Sequence, residues 1–221
     1  MPIFKKLNFT IPQKAKIAII GENGTGKTTL LNLILRLREP TEGEILLENK
    51  NINSFPIKEY RALFGTVTQK IHLFNDTIYN NLCLYQEMNQ CYIDELLRLS
   101  GLDDLVKNVS LQYTVGTEGS MLSGGQRQKI ALARALSRNT PFIIFDEATS
   151  NIDSLSTQKI INLLSKELKE KTVLLVTHDL ATLKYVDYIL ILKNGGIDEI
   201  GTFEHLKQHN EFFNKLLLTP Q

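Results

Sequence analysis

The run Gly21-Glu22-Asn23-Gly24-Thr25-Gly26-Lys27-Thr28 combines backbone freedom, one fixed positive charge and one hydroxyl at the spacing G-x-x-x-x-G-K-[ST]. That pattern suits a polyphosphate. Its glycines let successive backbone N–H groups converge on phosphate oxygens, and a helix starting at the lysine adds its positive end. Lys27 supplies a point charge and Thr28 a hydroxyl for Mg²⁺. Gly21, Asn23, Gly24, Thr25, Gly26, Lys27, Thr28 and Thr29 are the expected phosphate contacts. The apolar run Phe142-Ile143-Ile144-Phe145 ends in two carboxylates, Asp146-Glu147, where a parallel strand would emerge into a ligand crevice. Asp146 would hold Mg²⁺, directly or through water, and Glu147 would orient and polarise the water attacking a γ-phosphate, a reaction that needs positioning more than covalent chemistry. A third element, Leu122-Ser123-Gly124-Gly125-Gln126, opens an amphipathic helix and forms a second anion site from a serine, two glycines and a helix N-terminus. Two such helix starts imply either two ligands or one ligand shared between two copies.

These groups need a scaffold that brings strand ends together. β-branched and aliphatic runs recur at 16–20, 44–47, 64–67, 141–145, 172–176 and 188–192, and the helix-period segments 27–36, 125–137 and 154–168 fall between several of them. The alternation predicts an α/β fold with a mainly parallel sheet, covered on both faces. From Asn75 to about Thr117 the rhythm breaks, with helical stretches at 77–84, 90–99 and 102–107, which predicts an inserted helical lobe.

The chain of 221 residues suits one core with a smaller lobe rather than two independent domains. A net charge of +1 excludes a global field for nucleic acid or an anionic membrane, so phosphate binding must be local. Cys83 and Cys91 have neither metal-knuckle spacing nor disulfide density. His205 and His209 have the i,i+4 spacing of a metal site but no third ligand, and read as the solvated face of a terminal helix. No apolar run approaches the ~20 residues of a membrane span.

Leu122 to Gln126 reads letter for letter as the signature of ABC ATPases, and the chain resembles that family from about residue 3 onward. Further marks of the family follow in order: Gln69 after the strand at 64–67, Ser150-Asn151-Ile152-Asp153 after the carboxylate pair, and Thr177-His178 after the strand at 172–176. The resemblance implies a P-loop NTPase core with an N-terminal β portion, core lobe about 1–74 and 138–221, and a helical subdomain about 75–137. It implies ATP and Mg²⁺ as ligands. It also implies a head-to-tail pair of ATPase domains, homodimer or heterodimer, with each ATP between one phosphate loop and the other signature. Lys27, Thr28, Gln69, Asp146, Glu147 and His178 would act in cis, with Lys27, Glu147 and His178 catalytic and Thr28, Gln69 and Asp146 holding the metal. Leu122, Ser123, Gly124, Gly125, Gln126 and the communication loop at Asp153 would act in trans.

The stretches 61–69, 73–78 and 114–119 look like exporter cassettes, and the resemblance implies that the faces around 69–78 and 114–119 meet a membrane domain, with Ile71, Leu73 and Phe74 as candidates for the docking groove. His178-Asp179-Leu180 looks more like importers, since exporters usually carry Arg after the histidine. Importer-type subunits and soluble ABC ATPases are thus the alternatives. The expectation is a piece of a longer transporter, at the cytoplasmic side of the membrane and reaching it only through a transmembrane partner, with no nucleic-acid role. ABC proteins commonly stack adenine on an aromatic about 25 residues before the first loop glycine, which here would lie upstream of Met1. Phe4 and Phe9 are expected in the core instead.

Overall fold

The computed structural model describes residues 3–147, 158 and 160–218. Asp153 and the rest of Ser150-Asn151-Ile152-Asp153 lie outside the described residues. Five strands, β1 (Lys16–Ile20), β4 (Phe64–Val67), β5 (Phe142–Asp146), β6 (Thr172–Val176) and β7 (Tyr188–Lys193), run parallel. An antiparallel edge strand, β8 (Gly196–Gly201), completes the sheet in the order β4-β5-β6-β1-β7-β8. β1 and β6 are buried along their whole length, which is why their sequences show no polar alternation. Ile17 and Ile19 meet Leu30, Leu31 and Ile34 of α1 (Lys27–Ile34) on one face. Ala18 and Ile20 point the other way, toward Leu206 of α7 (Phe203–His209) and Phe213 of α8 (Glu211–Leu218).

Because the strands are parallel, their carboxyl ends share one edge. Asp146 pairs with Val176 and Val67 with Phe145, so Gln69, Glu147, His178 and the glycine loop after Ile20 all leave the sheet on the same side.

The helical segment has its own core. Ile78 and Leu82 of α3 (Ile78–Cys83) and Ile93 and Leu97 of α4 (Gln90–Ser100) pack with Leu102, which precedes α5 (Asp103–Val109), and with Val115. α3 and α4 begin on side-chain caps: Thr77 accepts from Asn80 N–H at 3.0 Å and Asn89 from Tyr92 N–H at 2.8 Å. α6 (Gly124–Ser137) joins the two cores. Its Ile130 and Ala133 face the helical cluster. Its Ala131, Leu132 and Ala135 face Ile143 and Phe145 of the sheet.

Several elements differ from expectation. The strand expected at 44–47 shrinks to β2 (Leu46–Leu47), paired with β3 (Lys50–Asn51) across a turn in which Glu48 and Asn49 both have left-handed φ, 49° and 63°. Residues 3–11 form no strand; Lys5 N–H donates to Gly195 O at 2.8 Å while Phe4, Leu7, Phe9 and Ile11 pack on the α1 side of the core. The N-terminal β portion is therefore limited to the β2–β3 hairpin. A short helix α2 (Ile57–Ala62) and β8 had no sequence expectation, being too short or too polar to stand out. His205 and His209 lie on α7 with rings stacked at 4.7 Å, and His205 Nε2 sits 2.8 Å from Glu199 Oε1. No group of three metal-ligating side chains of the His, Cys, Asp and Glu types occurs among the described residues.

Gly65 sets how closely α6 approaches β4, since a Cβ there would lie 2.4 Å from Ala135 O and 2.9 Å from Ile143 Cδ1. Gly65→Ala should lower unfolding free energy by ~1–3 kcal/mol, the usual cost of overpacking, as measured by urea denaturation.

Candidate functional site

The glycine loop is bent by its own backbone. Gly24 and Gly26 have left-handed φ values of 81° and 99°, which side chains rarely adopt. A Cβ on Gly21 would lie 2.4 Å from Leu192 O, so the loop starts pressed against β7. A Cβ on Gly24 would meet nothing within 4 Å, and Asn23 and Gly24 are exposed, so this part of the loop faces open space. Gly26 caps the N-terminus of α1, with the Phe4 ring 2.7 Å from where its Cβ would be. Phe4 is thereby packed against the loop and the core, as expected.

Lys27 is 6% exposed, and its Nζ donates to Gly21 O at 2.8 Å and Glu22 O at 3.1 Å. Burial pushes its pKa down, while Glu147 and Asp146 pull it up. Thr25 Oγ1 donates to Glu22 O at 2.9 Å, Thr28 is exposed, and Thr29 is half-buried on the first turn of α1. Asp146 is 8% exposed; burial and the adjacent Glu147 raise its carboxyl above the usual range, against a hydrogen bond from Thr28 and the charge of Lys27. Its Oδ1 has no hydrogen-bond partner among the described residues. An orphaned, buried carboxylate oxygen beside a hydroxyl fits a hard divalent cation, which prefers oxygen donors.

Glu147 stands just past β5 with a left-handed φ of 50°, its N–H donating to Val176 O at 3.0 Å. Its carboxylate meets two of the residues expected beside it. Gln69 Nε2 donates to Oε2 at 2.7 Å and His178 Nε2 lies 3.5 Å from Oε1. Gln69 thus contacts Glu147 directly. The sheet edge brings together Lys27, Thr28, Gln69, Asp146, Glu147 and His178 from three strand ends and one helix.

The signature occupies the N-terminus of α6. Ser123 is the cap: its hydroxyl accepts from Gln126 N–H at 3.2 Å while Gln126 Oε1 accepts from Ser123 N–H at 2.8 Å. Leu122 is buried in the helical core, and a Cβ on Gly125 would meet nothing within 4 Å, leaving that helix start open. Arg127, which the sequence did not single out, donates to Leu122 O at 2.7 Å and Gly119 O at 3.3 Å, tying the signature to the segment before it. Arg134 likewise spans the lobe, donating to Asn81 O, Asn81 Oδ1 and His72 O at 2.8–2.9 Å, with its guanidinium over the Phe74 ring. Nothing in the sequence sets these arginines apart from solvated helix residues. Of the three groove candidates, Leu73 is buried and Ile71 half-buried, whereas Phe74 is 51% exposed beside Tyr85, 65% exposed.

A family model described as ABC transporter matches residues 4–150. The chain belongs to this family. It is an exporter-like nucleotide-binding domain. It is 35% identical over 219 residues to the ATP-dependent lipid A-core flippase of Photobacterium profundum, covering 97% of this chain and 37% of that one. The flippase of the same name from Escherichia coli (strain K12) is 35% identical over 220 residues, covering 98% of this chain and 38% of that one. The chain thus spans about two fifths of the length of these relatives. Among solved structures, a bacterial Atm1-family ABC exporter with ATP bound superposes with a TM-score of 0.93 at 30% identity, over 97% of this chain and 38% of that chain. No helix among the described residues is long and apolar enough to cross a membrane.

Because Asp146 is buried with one oxygen unpartnered among the described residues, Asp146→Asn should leave the nucleotide-free ABC domain as stable as the parent or more so. It should also abolish the extra stabilisation that Mg²⁺ adds to bound ATP, which follows from binding linkage. Thermal unfolding with and without Mg²⁺ checks both.

Proposed function

We propose that this chain is the motor domain of an ABC exporter, binding ATP at the sheet edge and hydrolysing it with Glu147 as the water-positioning base. The observation that carries this reading is the convergence of Gln69 and His178 on the Glu147 carboxylate, next to the buried Lys27–Asp146 pair. The backbone N–H groups from Gly21 to Thr29 would hold the phosphates, and Lys27 would face the β- and γ-phosphates. Thr28, Asp146 and Gln69 would hold Mg²⁺. That ion, when bound, would neutralise charge on the β- and γ-phosphate oxygens. Glu147 would accept a hydrogen bond from the attacking water, and His178, beside it, would contact the γ-phosphate and steady that water.

The open helix start at Ser123 and Gly125 supports a shared site. A second ATPase domain, identical or homologous, would bring Leu122, Ser123, Gly124, Gly125 and Gln126 to the far side of the nucleotide, with Asp153 as the residue proposed for communication between the two domains. In this reading 1–221 is a single ATPase domain within a longer chain, with a core lobe about 1–74 and 138–221 and a helical lobe about 75–137. The exposed pair Phe74 and Tyr85, with the segment 114–119, would dock the transmembrane part at its cytoplasmic side.

Glu147→Gln should retain ATP binding and lose at least ~10²-fold in turnover, the range of general-base groups. Steady-state phosphate release together with equilibrium ATP titration checks this; near-parental turnover would remove Glu147 from the role.

A further inference from the structure

His178 leaves the end of β6 on a short loop, and a histidine on an unrestrained loop could not keep one distance to Glu147. The loop is restrained on both sides by one residue. Asp179 N–H donates to Thr177 Oγ1 at 2.9 Å, closing a turn around His178. Asp179 Oδ1 accepts from Ala181 N–H at 2.9 Å, a side-chain-closed turn that fixes the backbone after it. The Asp179 carbonyl accepts from Thr182 Oγ1 at 2.8 Å and from Thr182 N–H at 3.3 Å. The two threonines on either side are anchored: Thr177 is 1% exposed and Thr182 fully buried. Leu183, which follows, is in the core cluster with Ala18 and Ile20 of β1. His178 itself is exposed, and the hydrogen bonds centred on Asp179 close the turns on either side of it.

We propose that Asp179 is a positioning residue for hydrolysis, whose side-chain oxygen sets the loop that holds the His178 imidazole beside Glu147. The inference rests on the proposed role of His178 and extends it. It is the acceptor oxygen that matters here, not the charge, because the group it meets is a neutral backbone N–H. Asparagine keeps that oxygen and alanine does not. A misplacement of about an ångström near reacting groups can lower rates by up to ~10², and loosening one turn is expected to cost roughly 10-fold.

The test is a double-mutant cycle on the whole chain, measuring ATP turnover, ATP affinity and the ¹⁵N shifts of the His178 ring. Asp179→Ala should lower kcat roughly 10-fold, with the ATP dissociation constant changed less than about 2-fold, and should move the His178 ring signals. Asp179→Asn should recover most of the rate and the parental signals. In a His178→Ala background, Asp179→Ala should have no further effect. Parental kcat in Asp179→Ala, failure of Asn to recover the rate, or an equal loss in both backgrounds would overturn the inference while leaving His178 in place. A His178→Ala chain with parental turnover would overturn both this inference and the proposed role of His178.

Discussion

The site depends on keeping an ammonium and a carboxyl group out of water at the edge of an otherwise apolar sheet. Lys27 and Asp146 are both almost fully buried, and desolvation is the largest influence on each, opposed by their mutual attraction. Burying charges is costly unless they are paired and hydrogen-bonded. Lys27 meets that demand through two loop carbonyls, while Asp146 leaves one oxygen unpartnered among the described residues. Such strain is typical of a site built for a charged ligand rather than for stability. The rest of the architecture keeps it in place: parallel strands put the loop, the carboxylates, Gln69 and His178 on one edge, and apolar layers on both faces hold those strands.

α6 gives the second half of the arrangement its logic. One side of the helix is embedded in the sheet's core and the other in the helical lobe's core, so the capped helix start at Ser123 is fixed relative to both. Arg134 and Arg127 stitch the same helix to the segments at 72–81 and 119–122. Those segments include the exposed Phe74. A movement at the surface around Phe74 would therefore reach the signature through a short run of hydrogen bonds and packed side chains.

Much of this was legible in the sequence because the chemistry is local. The glycine loop, the Asp146-Glu147 pair and the signature each carry residue types that few other structures require, and fully buried strands announce themselves as unbroken apolar runs. What was hidden depended on tertiary contact. β8 reads as polar because it lies at an exposed edge, and residues 3–11 pack Phe4, Leu7, Phe9 and Ile11 on the core without forming a strand. Leu73 and Phe74 are adjacent and equally apolar, yet one is in a core and the other on the surface. Asp179 stood out only as a departure from the exporter pattern; its hydrogen bonds across the His178 loop were not deducible from its neighbours.

The central claim is that each ATP is enclosed by the phosphate loop of one copy and the signature of another. Mixing two inactive variants tests it most directly: Lys27→Met, which lacks the phosphate-loop charge, and Gly125→Asp, which puts a carboxylate where phosphate should bind. Paired copies would contain one complete composite site, from the intact loop of one and the intact signature of the other. The expected result is ATP turnover in the mixture that neither variant shows alone, rising with protein concentration. A mixture as inactive as its components at saturating ATP would contradict the shared site.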